Sequence, residues 1–344
     1  MSTTPNGPRT EGELEERLSE PTAEVIAVMG RLQGDLILLG VGGKMGPSLA
    51  RMARRASDAA GASRRVIGVS RFSGGGEEEL QAHGIEAIRC DLLDPDAVAR
   101  LPAAANVVYL AGMKFGATGN AAATWAMNSY LPGVVCRKYR DSRIVAFSTG
   151  NLYGLTPVEG GGSREADPPR PVGEYAMSCL GRERMFEYFS RSFGTPTALV
   201  RLYYACDLRY GVLVDLARMV LAGEPVDLGM GYFNTIWQGD ANAMTLRAFD
   251  HTDAPPWVIN MSGPELLPVR AVCERFGTLF DRPVRFTGVE SPTAFLADAR
   301  YGLEKLGPPR VGADRLLEWV ADWVTRGGRT LGKPTKFESR DGAF

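Results

Sequence analysis

"DLILLGVGGKMG", residues 35–46, decides the fold of this chain. Its apolar run DLILLG (35–40) has the length of a strand buried on both faces, as strands of parallel sheets are. Gly40, Gly43 and Gly46 follow at intervals of three. Glycines at such places permit a tight turn and a close backbone approach, so the N–H groups of a following helix can hold a pyrophosphate. A GxGxxG spacing fails because Met45 occupies its last position; a GxxGxxG spacing fits. Glycine-rich turns are common, and the strand before and helix after are what separate a nucleotide loop from a plain turn. Lys44, inside the loop, either faces the pyrophosphate or points to water.

The pattern then alternates. A helix is predicted at 46–60, a strand at 65–70, a short helix at EELQAHG and a strand at 86–92. DAVARL is helical, NVVYLAG (106–112) a strand, 121–140 a helix and RIVAFST (143–149) a strand. Strands separated by helices at this spacing give a parallel sheet. The fold class is therefore a Rossmann-like, doubly wound α/β fold with a smaller C-terminal substrate-binding region. Upstream, 21–34 reads as a helix with Val25, Val28, Met29 and Leu32 on one face. Residues 1–20 and 331–344 read as tails, 21–200 as the dinucleotide-binding domain and 201–330 as mainly substrate-binding. Residues 155–172 form a long Gly- and Pro-rich loop before Tyr175; such length commonly marks a functional loop.

Bulk properties narrow the partners. A net charge of −1 gives no general attraction to nucleic acid or anionic lipid. No apolar run approaches the roughly 18 residues of a membrane span. The five cysteines are scattered without a CxxC pair, so neither a zinc site nor a disulfide framework is indicated. With no apolar leader at the start of the chain, a cytoplasmic, reduced protein is the expectation. Only two histidines occur, His83 and His251, in no glycine-rich or strand-end motif. No metal is expected.

The end of the second strand bears on the dinucleotide. An acidic residue there would bind a ribose 2′-hydroxyl. This chain has Ser70 followed by Arg71, and an arginine can pair with a 2′-phosphate. NADP is favoured, with NAD as the alternative; a solvated loop arginine is the plain reading.

At this point the chain resembles, over roughly 35–325, the extended short-chain dehydrogenase/reductase family of sugar epimerases, dehydratases and related reductases. GVGGKMG is similar to that family's cofactor loop, with Gly40, Gly43, Lys44, Met45 and Gly46. CDLLD (90–94) is similar to the segment in which Asp91 and Leu92 would flank adenine. NVVYLAGMK is similar to the fourth-strand end, placing Ala111 and Gly112 beside the cofactor. Asn128 matches the family's helix asparagine. AFSTGNLYG (146–154) resembles the fifth-strand end, where Thr149 matches the catalytic hydroxyl and Asn151 a substrate contact. Tyr175 matches the catalytic tyrosine, which also borders the cofactor, and Glu183 fits the helix pattern. GEPVDL, WQGDANAM and VINMSGPELLPVRAV resemble C-terminal landmarks. The resemblance implies a homodimer formed through helices 121–140 and 175–193.

Two positions depart from the family. The lysine expected four residues after the tyrosine is Cys179, and RLYYACD (201–207) is only loosely like the usual run. A lysine ammonium would favour the phenolate of a group whose free pKa is about 10. Cysteine carries no such charge. Cys179 is then a small packing residue, a reactive thiol, or the sign that the charge has moved to Lys114 in AGMKFG. Lys114 at a strand end would depress the Tyr175 pKa, bind a substrate carboxylate or act as a base; an exposed loop lysine is the plain alternative. Arg201 would hold a substrate phosphate or carboxylate, or a buried partner. Tyr232, Asn234 and Trp237 suit sugar recognition and equally suit a core.

The expectation is an NAD(P)-dependent epimerase or oxidoreductase acting on a sugar, sugar acid or nucleotide sugar, with Thr149, Tyr175 and Lys114 as catalytic candidates. Gly150 and Asn151 stand where dehydratases of the resembled family carry an Asp-Glu pair, which disfavours elimination. The rival is a non-catalytic dinucleotide-binding sensor or partner protein that lost the lysine.

Overall fold

Leu36–Leu39 forms β1, and all four of its side chains are buried. It pairs in parallel with β2 (Val66–Ser70) on one side and β4 (Asn106–Tyr109) on the other. β3 is Glu86–Arg89, β5 Arg143–Thr149, β6 Thr197–Leu202 and β7 Trp257–Met261. The computed structural model describes residues 7–114, 116 and 119–343. Its main sheet runs β7-β6-β5-β4-β1-β2-β3, all parallel. The order reverses between β1 and β4, and sheets of this kind bind ligands at that switch point, beyond the carboxyl ends of the strands.

Helices cover both faces. α1 (Glu11–Leu18), α2 (Ala23–Arg31) and α3 (Gly46–Ala59) open the chain. α4 is Glu77–Ala82, α5 Pro95–Arg100, α6 Ala121–Trp125 and α7 Leu131–Lys138. A π-helical turn, Ala126–Tyr130, joins α6 to α7, and such widened turns often sit at functional sites. α8 is Gly173–Phe193, α9 Val212–Ala222 and α10 Gln238–Arg247. α11 is Val269–Phe280, α12 Arg300–Leu306 and α13 Ala313–Thr325. One sheet face packs on α2, α3 and α10 through Leu36, Leu49 and Leu246. The other packs on α7 and α8 through Leu131, Val135 and Phe186. A second core joins α9, α11 and α13 around Trp237 and Trp319.

Three expectations change. Residues 11–20 are no tail: Thr10 caps α1, and Leu14 and Leu18 are fully buried. Two leucines four apart in an acidic stretch give little periodic signal, yet they seal the second core. Residues 1–6 of that reading lie outside the described residues. The C-terminal segment is also held. Thr335 and Phe337 are buried, and the Thr335 amide and hydroxyl donate to Asp215 at 2.8 and 2.7 Å; Phe344 lies outside the described residues. Finally, 201–330 is not one region. After α9 the chain returns to the main sheet, where α10 and β7 complete the face that α2 and α3 share. Among the described residues no helix is long and apolar enough to cross a membrane.

Candidate active site

The ends of β1 and β4 meet at the switch point. Gly40 has φ +90°, and a Cβ there would press into the Ala111 backbone at 2.7 Å. A Cβ on Gly46 would overlap the Val41 carbonyl. These two glycines are thus required by the turn itself. Gly43 differs: a Cβ there would meet only the Gly40 carbonyl, at 3.5 Å. The protein leaves room at Gly43, and the space lies on the cavity side. α3 begins with no side-chain cap, so its first N–H groups remain available to an anion. A Cβ on Gly42 would meet the Ser70 hydroxyl at 2.5 Å, which closes the loop against β2. The residues present at this cradle fit a dinucleotide pyrophosphate, which the 40–46 backbone would hold.

A cavity of about 570 Å³ opens from this loop. Ten of the residues singled out from sequence line it: Gly40, Gly43, Lys44, Met45, Gly46, Gly112, Lys114, Thr149, Asn151 and Tyr175. Size alone would not find it, because a larger cavity of about 730 Å³ lies between α9 and residues 324–338 and holds no residue of the main sheet. Ala111 is buried behind Gly40. Arg71 and Asp91 are exposed and Leu92 buried at the β2 and β3 ends. The Cys90 amide donates to the Ser70 carbonyl at 2.9 Å and ties those two ends together. Tyr232, Asn234, Trp237 and Arg201 are absent from the lining. Trp237 packs edge-on against Trp319 in the second core. Asn234 bonds the Glu265 carbonyl and the Ala297 amide, and Tyr232 pairs with the 267–268 strand.

Arg201 is taken by a buried network. Its guanidinium forms two bonds with the Glu183 carboxylate, at 2.7 and 2.9 Å, and a third with the Tyr153 hydroxyl at 2.6 Å. Ser148 donates to Glu183 at 2.6 Å, and Tyr153 donates to Asn260 of β7 at 2.9 Å. Both members of the pair are almost fully buried, so Arg201 serves the fold and not the cavity.

Tyr175 stands on the first turn of α8. Its phenol faces the Thr149 hydroxyl, which favours the phenolate, and the Cys179 thiol, which opposes it. Thr149 also exchanges hydrogen bonds with Asn151, from its own hydroxyl (3.2 Å) and from the Asn151 amide (3.3 Å). Burial pushes the Tyr175 phenol well above its ordinary value, and neighbouring Cys179 adds to the rise. Burial raises the Cys179 thiol too. A fully buried, protonated thiol lacks thiolate character, so Cys179 acts as a small packing residue beside Tyr175.

Lys114 reaches the cavity between two rings, its ammonium 5.9 Å from the centroids of both Tyr175 and Tyr204. Tyr204 has φ +30°, an unusual conformation for a bulky residue. It is pinned there by the Thr235 hydroxyl and the Ile236 amide, both donating to its carbonyl. Burial lowers Lys114 to about 8. Burial, with Lys114 and Lys333 nearby, lowers Lys44 to about 7; its ammonium lies 2.9 Å from the Tyr210 ring centroid.

Sequence reading missed several lining residues, Tyr203, Tyr204, Tyr210, Lys333 and Thr335 among them. It also missed Arg182, which donates to the Phe147 carbonyl at 3.0 Å and to Asn128 at 2.6 Å. The available signal was a charged residue on the apolar stripe of Ala176, Cys179 and Phe186. Among the described residues no group of His, Cys, Asp or Glu side chains could hold a metal ion.

Comparison with known proteins agrees with this fold. Solved structures similar to the chain include MoeE5 in complex with UDP-glucose and NAD, at 21% identity and TM-score 0.68, over 86% of this chain and 99% of that one. The UDP-glucose 4-epimerase of Thermotoga maritima, with UDP-glucose, is 18% identical over 85% of this chain and 99% of its own, at TM-score 0.68. A double mutant of DesIV, the dTDP-glucose 4,6-dehydratase of Streptomyces venezuelae, with NAD bound, is 17% identical at TM-score 0.72, over 85% and 98%. At such identities these likenesses bear on the fold. No curated protein sequence matches the chain. The model of the NAD dependent epimerase/dehydratase family matches residues 36–211, just over half of the 344 residues. With that match spanning the glycine loop, Thr149 and Tyr175, the chain belongs to the NAD dependent epimerase/dehydratase family.

Proposed function

We propose that the protein is an NAD(P)-dependent epimerase or oxidoreductase acting on a sugar, sugar acid or nucleotide sugar, with epimerisation the leading reaction. The observation that carries this reading is that Tyr175 and Thr149 line the same cavity as the glycine loop. When bound, the nicotinamide supplies a two-electron site for hydride. Thr149 orients the substrate hydroxyl. Tyr175, ionised to the phenolate, takes the hydroxyl proton as the carbinol carbon loses hydride and the carbonyl forms, and gives it back when hydride returns. Return to the opposite face inverts that carbon. Lys114 holds an anionic or hydroxyl group of the substrate beside the two rings. The solved relatives carrying UDP-glucose, and UDP-glucuronic acid with NAD, support the substrate class. Arg71, exposed at the end of β2, supports NADP over NAD.

The test is titration of the purified protein with NADP and NAD, followed by turnover on a panel of nucleotide sugars. Product epimers are resolved chromatographically, and absorbance is followed in the reduced-cofactor band. Binding with epimer or redox product is expected. Failure to bind either dinucleotide sinks the reading. Tight binding without turnover favours the rival, a sensor or partner protein, which the raised Tyr175 phenol and the Cys179 substitution support.

The lysine gives a pH signature. With Lys114 lowered to about 8, its ammonium is present below that pH and lost above it. For an anionic substrate, kcat/KM, which reports free-enzyme groups, will fall as pH rises through about 8. Lys114→Ala will lower kcat/KM at neutral pH and abolish that fall; an unchanged profile removes Lys114 from the site. The stability sign is opposite. The folded pKa lies below the ordinary 10.5, so between these values the unfolded chain holds more protons and stability rises with pH.

We also propose a homodimer through α6, α7 and α8. Trp125, Tyr130, Met177, Tyr188 and Phe193 are large, exposed apolar residues on these helices and the π turn between them, and such clusters mark association surfaces. Tyr188→Glu will convert a dimeric mass in light scattering to the monomer. A monomeric wild type, or a variant of unchanged mass, removes this face.

A further inference from the structure

We propose that Arg182 is the positioning residue that supplies Tyr175 with the positive charge Cys179 cannot give. The proposal rests on Tyr175 being the proton-exchanging group, and it assigns the cation on the protein side of that phenol, where Lys114 stands on the cavity side.

Arg182 follows Tyr175 by seven residues and Cys179 by three, so the three share one face of α8. Long helical side chains lean toward the N-terminus of their helix, which brings the guanidinium back toward Cys179 and Tyr175. It is buried, at 5% exposure. Its anchors are the Phe147 carbonyl on β5 and the Asn128 side chain on the π turn. Asn128 is itself fixed, accepting from the Met113 amide at 2.8 Å and donating to the Met113 carbonyl and the Ser178 hydroxyl, both at 2.9 Å. The end of β4 makes room: a Cβ on Gly112 would collide with the guanidinium.

What this cation lacks is a counter-charge. The adjacent Glu183 is engaged by Arg201, and among the described residues no carboxylate forms an ion pair with Arg182. Its Nε has no hydrogen-bond partner. A buried charge without a partner is costly, and an arginine stays charged. A phenolate forming at Tyr175 is the negative charge that would offset it. Among the influences on Tyr175, Arg182 is the foremost that favours the ionised phenol against burial.

The test reads Tyr175 directly. Tyrosine is replaced throughout by 3-fluorotyrosine, whose phenol is more acidic. The position-175 resonance is assigned with Tyr175→Phe and titrated by fluorine NMR. Arg182→Gln keeps donors for Phe147 and Asn128 but removes the charge, and its midpoint will lie about one pH unit or more above wild type. Arg182→Lys, which keeps a charge, will recover most of the shift. Arg182→Met is the second neutral variant should the glutamine protein not fold. Coincident midpoints in the neutral variant and wild type overturn the proposal, as does a phenol that titrates in neither before both unfold. The titration needs neither cofactor nor substrate. A shifted midpoint in a protein with no turnover removes the proposed function and keeps Arg182; turnover with an unshifted midpoint does the reverse.

Discussion

Tyr175→Phe will lower kcat about 10²–10⁴-fold, the usual worth of one positioned proton-transfer group. Its dinucleotide dissociation constant will change by no more than about tenfold, because one hydrogen bond is worth about 1.4 kcal/mol or less. The split follows from the geometry. The phenol lies beside Thr149 and Cys179, whereas the candidate pyrophosphate cradle is built from the loop at 40–46 and the start of α3. Removing the hydroxyl deletes the proton carrier and leaves the cradle. Stopped-flow single-turnover kinetics beside calorimetric titration measures both quantities. A variant that keeps wild-type kcat would show that proton exchange passes through another group, with Lys114 the next to remove.

Arg201→Met will destabilise the protein by about 3–5 kcal/mol, because it leaves the Glu183 carboxylate buried without its partner. The double change Arg201→Met with Glu183→Leu will recover much of that loss, since a hydrophobic pair of similar volume avoids the buried charge altogether. Urea denaturation of the wild type, the two single variants and the double variant gives the coupling energy directly. Equal losses in the single and double variants would mean that the network around Tyr153 and Asn260 carries the stability and the ion pair does not.

Local signals were legible in the sequence, and long-range ones were not. The β1–loop–α3 unit follows from adjacent residues: four apolar side chains, then glycines whose spacing is set by the turn. The strand ends at Thr149 and Gly112 follow from the same alternation. α1 escaped because only Leu14 and Leu18 announce its buried face. The substrate reading of Arg201 is replaced because its partner Glu183 lies on another element and reaches it only after folding. Arg182 escaped for a related reason. Its meaning depends on Phe147, Asn128 and Gly112, which three different segments bring together.

The return of β7 to the edge of the main sheet sets an order on synthesis. β6 gains its outer neighbour only when residues 257–261 have left the ribosome, and Tyr153 and Ser163 wait for Asn260 in the same interval. A nascent chain ending near residue 210 would hold the glycine loop and the Tyr175 helix yet show an open β6 edge and an uncovered α2–α3 face. Such edges pair with other chains. Fragments that stop at the apparent dinucleotide domain will therefore aggregate, and a soluble minimal version must extend past β7.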